Sequence, residues 1–163
     1  MNAIRTRLAC SALALAASTV ALAADSASGT ISFQGHAGTI KHAWMVRGPD
    51  EMDAGKTVLR LYLSSADIGA KIKACKTLSC ADNALEDGAM VDYGDARHLA
   101  YAVRLEGERV QYSGGTGPDA FTLSTNKPDH LVGKLHVDDA AAGGAKVDAD
   151  FDLGLANTFT SVR

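Results

Sequence analysis

Much of what would announce a chemistry is missing from this sequence of 163 residues. It contains no G-x-S-x-G, so the strained strand-to-helix turn that presents a serine nucleophile is not on offer. An EF-hand loop, with its central glycine and closing glutamate, is absent. The five histidines and three cysteines nowhere show the close ligand spacing of a closed zinc site. No C-x2-C pair occurs, which removes the thioredoxin-type redox motif. Lysine and arginine number 16 against 19 aspartates and glutamates, for a net charge of −3, and no basic patch is apparent. Nucleic acid is excluded as a partner on that ground, because phosphate neutralisation dominates such binding. No internal repeat stands out. The expectation is therefore no metal and no cofactor.

What is present begins with MNAIRTRLACSALALAASTVALAADSA. Arg5 and Arg7 precede an uncharged apolar run over 8–24, with small residues at Ala21 and Ala23, where a signal peptidase expects them. Residues 1–23 read as a secretory signal peptide and 24–163 as a single β-rich domain. A membrane anchor would want about 20 strongly apolar residues, and this run is shorter and rich in alanine. Lipid attachment at Cys10 is disfavoured, since most of the apolar run follows that cysteine. Cleavage removes Arg5 and Arg7 and takes the net charge from −3 to −5. The expected location is periplasmic or secreted, with no stable membrane anchor after cleavage.

Two cysteines then remain, Cys75 and Cys80, and an even count in an exported chain favours a disulfide. The enclosed loop is short, so closing it stabilises by roughly 2 kcal/mol.

The strongest strand lies in residues 56–80, KTVLRLYLSSADIGAKIKACKTLSC, where Leu59, Leu61 and Leu63 alternate with Arg60 and Tyr62. Asp67 is a candidate helix cap, and 66–74 has the propensity and Ile68/Ile72 spacing of a short helix. Before it, 29–35 reads as a first strand, 35–38 as a turn, and 39–47 as a second strand with Ile40, His42, Trp44 and Val46 on one interior face. The 67–96 stretch is otherwise an acidic connection with a short strand at 89–93, long enough to count as an insertion. A hairpin follows at 98–113 around Gly107-Glu108, pairing Glu106 with Arg109, Leu105 with Val110 and Val103 with Tyr112. Strands at 120–125, 130–137 and 146–155 complete the pattern. The last is the cleanest, with Val147, Ala149, Phe151, Leu153 and Leu155 against Lys146, Asp148, Asp150 and Asp152. Eight or nine short strands with one-sided alternation predict an all-β fold, an antiparallel sandwich or partly closed barrel in meander order, with one short helix and a disulfide-closed loop.

Candidate sites stand beside plainer readings. His42 and Trp44 would line a ligand cavity near a barrel mouth; the plainer alternative is a histidine satisfied by a backbone carbonyl. Lys71, Lys73 and Lys76 form either a solvated helix face or a docking surface for an acidic partner. Asp148, Asp150 and Asp152 lie on one strand face, alternate residues being about 7 Å apart, a spacing at which two carboxylates flank a glycosidic bond. More often such a row is a solvated sheet face that resists aggregation. His130 and His136 are about 20 Å apart along an extended strand and do not share a metal. His36 and His98 sit at strand edges. Residues 114–117, GGTG, make a weak phosphate loop because no helix follows.

The runs TIKHAWMVRGPDEMDAGKTVLRLYLSSADIGAKIKACKTLSC, RVQYSGG and LVGKLHVDDAAAGGAKVDADFDLGLANTF resemble a group of small exported bacterial proteins with no established activity. The resemblance covers nearly the whole mature chain and implies export and a β-rich fold, and it assigns no catalytic residue. The expected function is an exported, non-enzymatic module binding a partner protein or small ligand through a sheet face or the insertion. The alternatives are a carbohydrate-active or other hydrolase working from the acidic strand face, and a lipocalin-like small-ligand carrier.

Overall fold

The structure is a computed structural model and describes residues 25–51, 53, 55–94, 99–114 and 118–163. The expected signal segment with Cys10, as well as His98 and residues 115–117 of the glycine-rich turn, lies outside the described residues.

Ten strands and two short helices follow in the order β1 (Ser26–Phe33), β2 (His36–Ile40), β3 (His42–Pro49), β4 (Thr57–Ser64), α1 (Gly69–Ala74), α2 (Leu78–Ala84), β5 (Gly88–Tyr93), β6 (Leu99–Leu105), β7 (Glu108–Gly114), β8 (Phe121–Lys127), β9 (His130–Asp138) and β10 (Lys146–Thr158). All ten strands belong to one open sheet, in which β3 to β7 run as an antiparallel meander. The strand β10 joins the two ends. Its first part lies between β1 and β9, antiparallel to both. Beyond Ser26, the first residue of β1 and the partner of Asp152, β3 takes the place of β1 and pairs in parallel with the last residues of β10, Leu155 with Met45 and Thr158 with Arg47. The order is therefore not a plain meander, and this one pair departs from the antiparallel rule.

The sheet folds over so that its two halves share one dry interior. Leu61 and Leu63 of β4 meet Val147, Phe151 and Leu153 of β10 there, together with Ile31, Phe33, Met45, Leu131 and Leu135. The alternation of apolar residues in the two clearest strands dictates this, since burying one face of each requires the halves to stack. Gly133, the gap in the apolar column of β9, is required by crowding. A Cβ built there would stand 2.3 Å from the Thr122 carbonyl oxygen and 2.9 Å from the Leu123 Cα.

Several local expectations are corrected. The first hairpin turns at Gln34-Gly35, both with positive φ, so 36–38 belong to β2. The expected strand 39–47 is broken at Lys41. Ile40 consequently enters the interior, while Trp44 and Val46 project from the other side of the sheet. The second hairpin turns at Glu106-Gly107, again with two positive φ values. Its register places Val103 opposite Val110 and Leu105 opposite Glu108. This is a slip of two residues from the expected pairing, and an even slip leaves every side chain on its own face. The helix begins at Gly69 and not at 66, with Asp67 Oδ1 accepting from the Gly69 amide at 2.9 Å.

A second helix, α2, forms where only a loop and connection were expected. Thr77 caps it, its Oγ1 accepting from the Cys80 amide at 3.3 Å. Together α1 and α2 make a third layer. They cover the outer face of β3 to β6 by burying Ile68, Ile72, Leu78, Ala81 and Leu85 against Trp44, Val46, Tyr62, Met90 and Ala102.

Candidate functional site

The helical cap organises most of the polar side chains worth considering. Its first consequence is that the face of β4 opposite the leucines, which carries Arg60 and Tyr62, is buried. A guanidinium in such a place must be paired, because desolvating an unpaired charge is costly. Arg60, with 8 % of its side chain exposed, meets carboxylates from three separate elements. Its Nε and Nη2 donate to the two oxygens of Asp92, directly opposite on β5, at 2.6 and 2.8 Å. Its Nη1 donates to both oxygens of Asp82 on α2 at 2.9 Å and to Glu51 Oε1 at 3.0 Å. The Tyr62 hydroxyl donates to Asp82 Oδ1 at 2.7 Å.

Burial pulls the Arg60 guanidinium downward, but the hydrogen bond and charge of Asp92, then the charge and hydrogen bond of Asp82, outweigh it and hold the group charged. The Tyr62 phenol is pushed well above its ordinary range by burial first and then by the charge and hydrogen bond of Asp82. Arg104 completes the fastening of α2 by donating to the Leu85 carbonyl at 2.9 Å. The last residues of the chain fasten its other end, where the amides of Leu78 and Ser79 donate to the carbonyls of Ser161 and Val162 at 3.2 and 2.9 Å. Every donor and acceptor named here is used within the protein. The cluster ties a helix to a sheet. Sequence reading missed it because Arg60 and Tyr62 looked like the wet side of an amphipathic strand; the surplus of Asp and Glu in the insertion was the available hint.

The expected ligand-binding pair, His42 and Trp44, is brought together, with ring centroids 5.9 Å apart and planes inclined by 14°. The pair is on the outer face of the sheet beneath α1, however, and not inside the fold. Trp44 is 6 % exposed, and a Cβ built on Gly69 would lie 2.5 Å from its Nε1. His42 is half-buried at the margin. Cys75 and Cys80 form a disulfide joining the end of α1 to the first turn of α2. Of the three lysines, Lys71 pairs with Glu86 at 2.9 Å. Lys73 and Lys76 are exposed. Neither has an ion-pair partner among the described residues.

The acidic row lies on the solvent side of the other half. Each carboxylate has a base on β9: Asp152 with His130 at 2.7 Å, Asp150 with Lys134 at 2.6 Å, and Asp148 with His136. Lys146 with Asp138 at 3.0 Å adds a fourth rung. On the other flank β1 offers only hydroxyls in register, Ser26 beside Asp152, Ser28 beside Asp150 and Thr30 beside Asp148. An open groove of about 620 Å³ crosses β1, β10, β9 and β8 here, with Asp150, Asp152, Lys134 and Thr122 among its lining residues. His36 pairs with Glu106 at 2.9 Å across the fold. Tyr101 pins the β9–β10 loop, donating to Asp139 Oδ2 at 2.7 Å and accepting from the Ala145 amide at 3.3 Å. Burial and the Asp139 hydrogen bond push its pKa up to about 12.

Among the described residues no three His, Cys, Asp or Glu side chains stand close enough to hold a metal ion, and no helix is long and apolar enough to cross a membrane. No protein-family model, curated protein or solved structure matches the chain.

Proposed function

We propose that the protein is an exported, non-enzymatic interaction module that docks an acidic partner on its helical cap through Lys71, Lys73 and Lys76. The observation that carries this reading is the pairing pattern. The buried ionic groups under the cap and the carboxylates of the exposed ladder have partners within the protein, whereas Lys73 and Lys76 project from the cap without an ion-pair partner among the described residues. Lys71, Lys73 and Lys76 place three cations within six residues of an otherwise acidic chain, so this helix face offers charge complementarity to an acidic partner. Export rests on the signal pattern of 1–23 and accords with a disulfide. Kinship with the group of small exported bacterial proteins belongs to the same proposal.

A poly-glutamate peptide is the simplest probe. Binding that weakens with salt and is abolished in the Lys71→Glu/Lys73→Glu/Lys76→Glu variant, with an unchanged melt, is the expected result. Equal binding by both proteins, or none by the unaltered one, sinks this reading.

A second reading has one specific observation in its favour. The groove holds both Asp150 and Asp152, neighbours on one strand face at about 7 Å, which lies within the carboxylate separation of inverting glycosidases. Against it, both acids are ion-paired and approach a bound chain from the same side. Release of reducing ends from a panel of polysaccharides, lost in Asp150→Asn and Asp152→Asn, would establish it. Carriage of a small ligand within the fold is disfavoured by the dense filling of the interior by Phe151, Met45, Leu61 and their neighbours.

A further inference from the structure

The two helices of the cap are held very differently. The sheet and the chain terminus grip α2 directly, through Arg60 and Tyr62 on Asp82, Arg104 on the Leu85 carbonyl, and Ser161 and Val162 on its first amides. It also buries Leu78 and Ala81. By contrast α1 is only six residues long and buries Gly69 and Ile72. Beyond the packing of Ile68 and Ile72, its fastenings outside its own turns are a long hydrogen bond from Asn157 Nδ2 to the Ile72 carbonyl at 3.4 Å, an exposed ion pair from Lys71 to Glu86, and the disulfide. An exposed ion pair adds little, and a helix this short has no stability of its own. The covalent bond thus fastens the weakly held helix to the strongly held one.

Beneath α1 lies Trp44, which is the sole tryptophan of the chain. Gly69 rests against its indole nitrogen, and His42 stacks on its ring from the open margin. Cys80 is exposed and Cys75 partly so, so a soluble thiol can reach the bond.

We infer that the Cys75–Cys80 disulfide is a thiol-sensitive latch: its reduction releases α1 and uncovers the His42–Trp44 stack while α2 and the folded sheet stay in place. A dithiol supplies the two electrons and two protons. The Cys75–Cys80 sulfur–sulfur bond breaks, each cysteine takes a proton, and the two thiols of the reductant close to a disulfide. Reduction leaves the sheet intact because the bond closes a local loop and spans no part of the interior. The uncovered surface is the aromatic shelf of His42 and Trp44, suited to a planar or aromatic group. This inference stands apart from the docking of an acidic partner on the intact cap.

The experiment reads Trp44 fluorescence and amide exchange in the leader-free protein, oxidised and then treated with dithiothreitol. Alkylation and mass measurement should count no free thiol before treatment and two after it. With reduction, Trp44 emission should move to longer wavelength and become accessible to acrylamide. Amides of α1 should exchange roughly thirtyfold faster, the factor expected for losing so short a closed loop. Amides of β4 and β10 should keep their protection. The Cys75→Ser/Cys80→Ser variant should match the reduced protein. Gly69→Ala, which drives a methyl into the indole, should expose Trp44 with the disulfide still closed. The latch is refuted if Trp44 stays equally shielded after reduction, or if α2 and the sheet lose protection together with α1.

Discussion

Arg60 and Asp92 face each other on adjacent strands and close a two-point ion pair, Nε to Oδ1 at 2.6 Å and Nη2 to Oδ2 at 2.8 Å. The pair is 8 % and 23 % exposed, and Asp82 of α2 lies on the same guanidinium at 2.9 Å. Removing the cation alone would strand two carboxylates under the cap. Arg60→Ala should therefore cost about 3–5 kcal/mol in urea unfolding. Arg60→Met with Asp82→Asn and Asp92→Asn together should cost much less, because no buried charge is left unpaired. A loss below 1 kcal/mol for Arg60→Ala would show that water reaches the cluster freely.

Phe151 stands in the shared interior, 3 % exposed, edge-on to Phe121 at 6.4 Å. Phe151→Ala should lower stability by about 3–5 kcal/mol. A near-neutral melt would mean that the two halves of the sheet do not stack through β10.

Gly133 leaves no room for a side chain, since its missing Cβ would fall 2.3 Å from the Thr122 carbonyl. Gly133→Ala should cost about 1–3 kcal/mol as overpacking and should loosen β8 first, visible as faster amide exchange in Phe121–Lys127 than in β4. Unchanged protection of β8 would contradict this.

Tyr101 is neutral in the fold up to a pKa of about 12, raised by burial and by its bond to Asp139. Its unfolded value is near 10. A raised pKa adds stability that is fully present below about pH 10 and is lost as the pH climbs towards 12. Wild-type protein should thus lose stability more steeply across that window than Tyr101→Phe, which has no proton to release at this position. Tyr62 is shifted in the same direction and acts equally in both proteins. Parallel pH profiles would count against the assignment.

Much of the fold was legible in advance where one face of a strand is dry and the other wet. The odd-numbered residues of β10 from Val147 to Leu155 and the leucines of β4 alternate with their polar neighbours, and they meet as that pattern requires. The disulfide was legible for a different reason, because two nearby cysteines in a chain read as carrying an export signal leave few options. Reading failed where both faces are buried. Arg60 and Tyr62 alternate with the leucines as solvent-facing residues would, and nothing local announces that α2 will cover them. The two hairpin turns also escaped, since Gln34 and Glu106 adopt a left-handed conformation that few non-glycine residues take. Of the candidate residues, His42 and Trp44 were rightly placed side by side but on the wrong side of the sheet, because the break at Lys41 changes which face an even-numbered residue presents.

The sequence by itself determined the strands, the apolar faces that had to stack and the covalent loop, since each depends on neighbours within a few residues. Only the tertiary structure decided that β10 would serve both halves of one open sheet, that a third layer would bury a charged strand face, and that a glycine of α1 would rest on the lone tryptophan. Those outcomes depend on which distant segments come into contact, and the cost of burying Arg60 is met by carboxylates 9, 22 and 32 positions away along the chain.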